Sequence, residues 1–172
     1  MAATPSRGTW ELGAAIIAQW REERIDDQFR AYWPTSDQSA SSPPTLNEGE
    51  ARPDQPGPYC IYNILPGFKT GETTGDTSTE QVVYYDVPVR FEIRAKSNNG
   101  KSGKTIAAAL AAEVARAFDP DMQLIMNNDC HTQTRRDDDL VIREGDEEWA
   151  IVLQYTFSIE ARLPDGFDPS AT

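Results

Sequence analysis

The chain has 172 residues, 26 % of them charged and 38 % apolar, and a formal net charge of −12. That length accommodates one domain with a real core, expected over residues 1–172 with its ordered part at about 10–162. Such acidity excludes a surface that grips a nucleic-acid duplex, because neutralising phosphates supplies most of that affinity; it suits a chain that stays in solution or lets DNA slide past.

The opening "MAATPSRGTWELG" has neither the basic nor the apolar stretch of a secretory signal. Residues 10–33, "WELGAAIIAQWREERIDDQFRAYW", contain no proline and predict one long helix, capped by Thr9 and stopped by Pro34. Leu12, Ile16 and Trp20 form one stripe at helical spacing, and Ile25, Phe29 and Tyr32 form a second on a rotated face. Two stripes imply two surfaces to bury against: either a helix bent around its own core, or core on one side and a neighbouring subunit on the other.

Residues 34–58 are rich in Pro, Ser and Gly and read as a long exposed loop. "YCIYNIL" follows as a short strand, then residues 66–79 as a second polar loop headed by Phe68 and Lys69. In "VYYDVPVRFEIRA" apolar residues alternate with Asp86, Pro88, Arg90, Glu92 and Arg94, the pattern of a strand with one wet face. Pro88 there points to an edge position or a bulge. "TIAAALAAEVARAF" places Ile106, Leu110, Val114 and Phe118 at i, i+4 steps, with alanines that allow close approach to a sheet. "MQLIM", a segment around residues 140–143 and "WAIVLQYTFSIEA" complete an antiparallel run, and residues 163–172 form a polar tail. No apolar run approaches the roughly 18 residues of a membrane-spanning helix. The expectation is α+β: a mainly antiparallel four- to five-stranded sheet packed on two helices, with long polar loops.

Chemistry-bearing motifs are few. "NNGKSGKT" ends like the phosphate-cradling loop G-x-x-x-x-G-K-[ST], but Asn98 stands where its first glycine belongs. The strand feeding it carries Arg90, Glu92 and Arg94, whereas a nucleotide-binding loop follows a central strand apolar on both faces. The magnesium-holding apolar strand ending in Asp is also missing. Cys60 and Cys130 lack metal-ligand spacing and read as reduced, buried thiols, with a single disulfide as the alternative; His131 beside Cys130 makes no zinc set. Asp129 and Asp137 to Asp139 read as solvated acids, with Arg135 and Arg136 as their surface partners. No catalytic, cofactor or metal residue is expected.

The order of elements, and above all "VRFEIRAKSNNGKSGKTIAAALAAEVARAF", resembles the tail-terminator, or tail-completion and head–tail-joining, proteins of tailed bacteriophages. The similarity spans about residues 10–162, and the long loop 34–58 departs from their compact form. The resemblance implies a structural virion protein of the neck, assembled in the host cytoplasm, without catalysis, cofactor or membrane. Its partners would be its own copies in a six-fold ring, the tail tube protein and the head–tail connector, with DNA passing through the lumen. The expected interface joins a patch at Ile25, Phe29 and Tyr32 to one at Arg90, Glu92 and Arg94, with Phe68 and Lys69 in a loop that meets a partner. A P-loop enzyme and a monomeric α/β binding module are the alternatives.

Overall fold

The computed structural model describes residues 9–39, 42–51, 54–74, 81–119, 124, 131–137, 139–144 and 148–163. In chain order they form helices α1 (Thr9–Glu22) and α2 (Ile25–Arg30), a single 3-10 turn (Thr35–Asp37) and strands β1 (Leu46–Glu48), β2 (Tyr59–Ile64), β3 (Phe68–Thr74) and β4 (Gln81–Lys96). Helix α3 (Gly103–Ala117) and strands β5 (His131–Arg136), β6 (Leu140–Glu144) and β7 (Glu148–Leu163) follow.

The alternating segments become the two longest strands. β4 and β7 pair antiparallel along their whole lengths, from Gln81 opposite Leu163 to Lys96 opposite Glu148. The sheet has seven strands in the order β1-β2-β4-β7-β5, with β3 also on β4 and β6 also on β7. Among the described residues only β1 and β2 run parallel. The fold is thus α+β and mainly antiparallel as expected, with more strands than the sequence pattern predicts.

Period-2 burial makes one face of the sheet the core. Val83, Val87, Val89, Phe91, Ile93 and Ala95 of β4 are buried there, beside Ile151, Leu153, Tyr155, Phe157 and Ile159 of β7. α3 lies on that face because Ile106, Leu110 and Val114 form its apolar stripe and Ala107 and Ala111 bring its backbone close. Each fully buried large side chain contributes about 1.5–3 kcal/mol. Phe118, at the C-cap of α3, stacks on Phe91 at 4.9 Å.

Four expectations need correction. The first helix is two helices, broken at Arg24, which adopts a left-handed conformation (φ 55°). The break re-aims the second stripe, so Ile25 and Phe29 bury fully in the same core as Leu12, Ile16 and Trp20. Segment 34–58 is not simply an exposed loop. The Trp20 indole N–H donates to Asp26 (3.1 Å) and Thr45 (3.3 Å), and Thr45 donates to Asp26. Those bonds place β1, with Thr45, Leu46 and Asn47 buried, against β2. Likewise, residues 68–74 form β3 rather than a polar loop, because β4 extends far enough past β2 to give them a ladder. Finally, Pro88 sits on a central strand, not an edge or a bulge. It occupies the junction between the β3 pairing, which ends at Asp86, and the β2 pairing, which starts at Val89, so its missing N–H is not needed.

Strand β5 was not anticipated from its polar sequence. Of "MQLIM" only Leu124 is described: it is buried, and Thr132 Oγ1 both accepts from its N–H (2.7 Å) and donates to its carbonyl (3.2 Å). The remainder of that segment, Cys130 and residues 164–172 lie outside the described residues. Cys60 is buried and free; burial first, and then the nearby Glu92 carboxylate, push its thiol pKa up, which makes it unreactive.

Two substitutions test this packing. A Cβ on Gly57 would stand 2.2 Å from Cδ1 of Trp33, whose indole donates to the Pro58 carbonyl at 2.8 Å. Gly57→Ala is therefore expected to cost about 1–3 kcal/mol in denaturant unfolding; unchanged stability would mean that the segment does not pack on Trp33. The second concerns Tyr155, whose buried hydroxyl has no hydrogen-bond partner among the described residues, and whose pKa burial pushes up to about 12. With a folded pKa above the ordinary tyrosine value of about 10, stability tied to the neutral phenol is whole below pH 10 and lost as pH climbs through 12. Tyr155→Phe should leave neutral-pH stability unchanged or raise it by about 1 kcal/mol. It should also reduce the alkaline loss, leaving the share of Tyr62, itself raised to about 12 by burial and then by Glu48. A clear destabilisation at neutral pH would reveal a partner for the hydroxyl.

Candidate functional site

The nucleotide-loop lookalike resolves into a turn and a helix cap. Asn98 and Lys101 exchange backbone hydrogen bonds of 3.0 and 2.9 Å across Asn99 (φ 48°) and Gly100 (φ 78°). Two positive φ angles in an Asn-Gly pair are the signature of a tight hairpin turn. The Asn98 side chain donates to the Tyr32 carbonyl at 2.8 Å. At the start of α3, Ser102 accepts from the Thr105 N–H (3.2 Å) and Ser97 accepts from the Gly103 N–H (3.3 Å). The backbone N–H groups of Asn98, Lys101, Gly103 and Thr105, four of those that would cradle a phosphate, are thus already engaged. Lys104 projects over the Trp149 ring, its Nζ 5.5 Å from the centroid.

The concave surface offers little else for catalysis. A cleft of about 260 Å³ between residues 55–57 and the end of β4 is lined by Tyr32, Gln55, Tyr59, Arg94, Lys96 and Asn98, below the roughly 300–1,000 Å³ of small-molecule sites. A wider groove of about 500 Å³ runs beside α1 and α2, but its carboxylate, Asp26, is held by Trp20 and Thr45. Among the described residues no group of His, Cys, Asp and Glu side chains is arranged to hold a metal. Asp137 receives Arg135 at 3.5 Å and the Thr156 hydroxyl at 2.8 Å, and Asp139 receives Arg136. Asp129 and Asp138 lie outside the described residues.

The expected interface residues divide sharply. Ile25 and Phe29 are fully buried and have no surface to offer a partner, which corrects their assignment to an exposed patch. Tyr32 is half-buried, with Lys101 Nζ 5.9 Å from its ring centroid. On the helix-free face of the sheet, Arg94 and Glu92 pair with each other at 2.7 Å and are largely covered, leaving Arg90 exposed. Phe68 is 55 % exposed and Lys69 is exposed beside it.

Sequence reasoning missed the most exposed apolar segment, Leu140, Val141 and Ile142 on β6. Leu140 and Ile142 share a face with Val152 and Ala150 of β7, and Val141 points to the opposite face. Three consecutive β-formers without alternation look like a buried strand; here they lie at a sheet margin that no described element covers. A signal was present in the charges on both sides, Asp137 to Asp139 before and Arg143-Glu144 after, which are ill placed for a core strand.

These features define a small α+β protein with a half-covered sheet, outer strands β1, β3, β5 and β6 each paired on one side, and no assembled catalytic set among the described residues. No protein-family model and no curated protein matches the chain. Among solved structures, its fold is similar to that of a chain in the virion of a native gene transfer agent (GTA) particle. That match has a TM-score of 0.54 at 15 % identity and covers 86 % of this chain and 93 % of the other. At that identity the likeness is one of fold.

Lys104→Ala is expected to lose only the exposed cation–π contact, about 0.5–1 kcal/mol. Calorimetric titration with ATP should give no binding heat for either protein. ATP binding that disappears in the variant would contradict the helix-cap reading.

Proposed function

We propose that this chain is a structural component of a phage-like virion, and within it the tail terminator or tail-completion subunit. In this reading copies close a six-fold ring between the head connector and the tail tube, and DNA passes through the lumen. The observation that carries it is the fold match to a virion chain, which covers nearly the whole of both proteins. The element order that resembles tail-terminator proteins supports the finer placement.

Physical features agree. A net charge of −12 keeps DNA from sticking in a channel, since backbone phosphates would be repelled rather than neutralised. A closing head-to-tail contact needs two different, complementary patches on each subunit. The exposed apolar side chains of the sheet fall into two such groups, on opposite flanks.

Reconstruction of the particle that encodes this chain tests the proposal. The expected result is a six-fold ring of this fold between connector and tube. Its absence from the neck, or its presence as single copies elsewhere in the particle, would overturn the reading.

A further inference from the structure

The groove beside α1 and α2 combines an apolar floor with a cationic rim. Ile17, Trp20, Pro44 and Leu46 supply the floor, and Arg21 and Arg30 stand on the rim of a space of about 500 Å³. Its carboxylate, Asp26, already accepts from Trp20 and Thr45. Arg21 is exposed and has no ion pair among the described residues. Arg30 donates to the Ser42 carbonyl at 3.5 Å and the Pro43 carbonyl at 3.3 Å, and its buried Nε has no acceptor among the described residues. Two positive charges without a carboxylate partner thus flank an apolar groove, on a chain of net charge −12. Such a groove selects an acidic segment with an apolar anchor.

The chain carries such a segment beyond its last strand. Residues 164–168 read "PDGFD", which sets Phe167 between Asp165 and Asp168; they lie outside the described residues. Phe167 cannot enter the groove of its own copy. β7 ends at Leu163, level with Gln81 of β4, whereas Leu46 on the groove floor is level, through Cys60 and Ile93, with Ile151. The stretch of β7 from Ile151 to Leu163 spans about 40 Å. Fully extended chain from Leu163 to Phe167 reaches about 14 Å at most. A tail that fits this groove therefore fits the groove of another copy.

Resting on the ring reading above, we propose that Phe167 of one copy docks in the α1–α2 groove of the next, against Ile17 and Pro44, with Asp165 and Asp168 beside Arg21 and Arg30. The contact runs head to tail. Tail and groove are different surfaces of the same subunit, so each copy gives one and receives one, and the pattern closes as a ring. Pairing acids of the tail with these arginines also offsets part of the repulsion between subunits of net charge −12.

Photocrosslinking in assembled particles tests the contact. The full chain carrying Phe167→benzoylphenylalanine should give, on irradiation, a ladder of linked copies, and the linked peptide of the second copy should contain Ile17 or Pro44. Linkage to a different virion protein, or to another region of this chain, would overturn the proposal. A ring visible in those particles without any linkage would overturn this contact and leave the ring reading intact. No ring of this protein in wild-type particles would overturn both. A second measurement needs no crosslinker: Phe167→Ala and Arg21→Glu should each lower incorporation into the ring several-fold without shifting the thermal unfolding of the free chain, while Arg21→Lys should keep it. Full incorporation of either Phe167→Ala or Arg21→Glu would contradict the docking.

Discussion

The ladder between β4 and β7 is the constraint on which the molecule depends. Two strands of 16 residues each pair without a register break. Their length exceeds that of any strand that flanks them, so each outer side must be shared: β2 and β3 divide one side of β4, and β5 and β6 divide the far side of β7. α3 covers the apolar face near the middle, and α1 and α2 complete the same core. A slip of β4 by one residue against β7 would turn Val87, Val89 and Phe91 out to solvent and Arg90 and Glu92 into the core, so burial itself fixes the register.

Sharing the flanks has a consequence for assembly. Short strands side by side along a long one leave margins at different heights, and side chains there are not covered by the helices that protect the middle. β1 meets this problem by being short and half-buried, with Leu46 and Asn47 shielded. β3 carries a register shift between Lys69 and Gly71, which limits how far another strand can follow it. β6 has no such device and exposes three apolar side chains in a row. In an isolated protein that edge would be a liability, which a partner in the proposed assembly would relieve.

Legibility in the sequence followed the strength of periodicity. β4, α3 and β7 were readable because alternation or helical spacing persists over many residues with large apolar side chains. β3, "FKTGETT", and β5, "HTQTRR", were not, because neighbours supply their ladders and little of their own apolar content does. β1 depended on an indole more than twenty residues upstream. The break at Arg24 had no Gly or Pro to announce it; a non-glycine residue takes the left-handed conformation there, where the chain turns between the buried stripes. For the interface, helical spacing at Ile25 and Phe29 identified apolar residues without saying what would cover them, and tertiary packing put them inside. Phe68 was legible as a lone apolar side chain in polar surroundings. Leu140 to Ile142 had only their flanking charges as a signal, because exposure at a sheet margin is decided by topology.

The central claim is that a rigid two-strand frame presents the margins of β3 and β6 to partners in the proposed assembly. Hydrogen exchange on the free protein and on the assembled particle measures this directly. The account predicts that amides of β3 and β6 gain protection on assembly, while those of β4 and β7, paired in both states, change little. Equal exchange of β3 and β6 in the two states would contradict it.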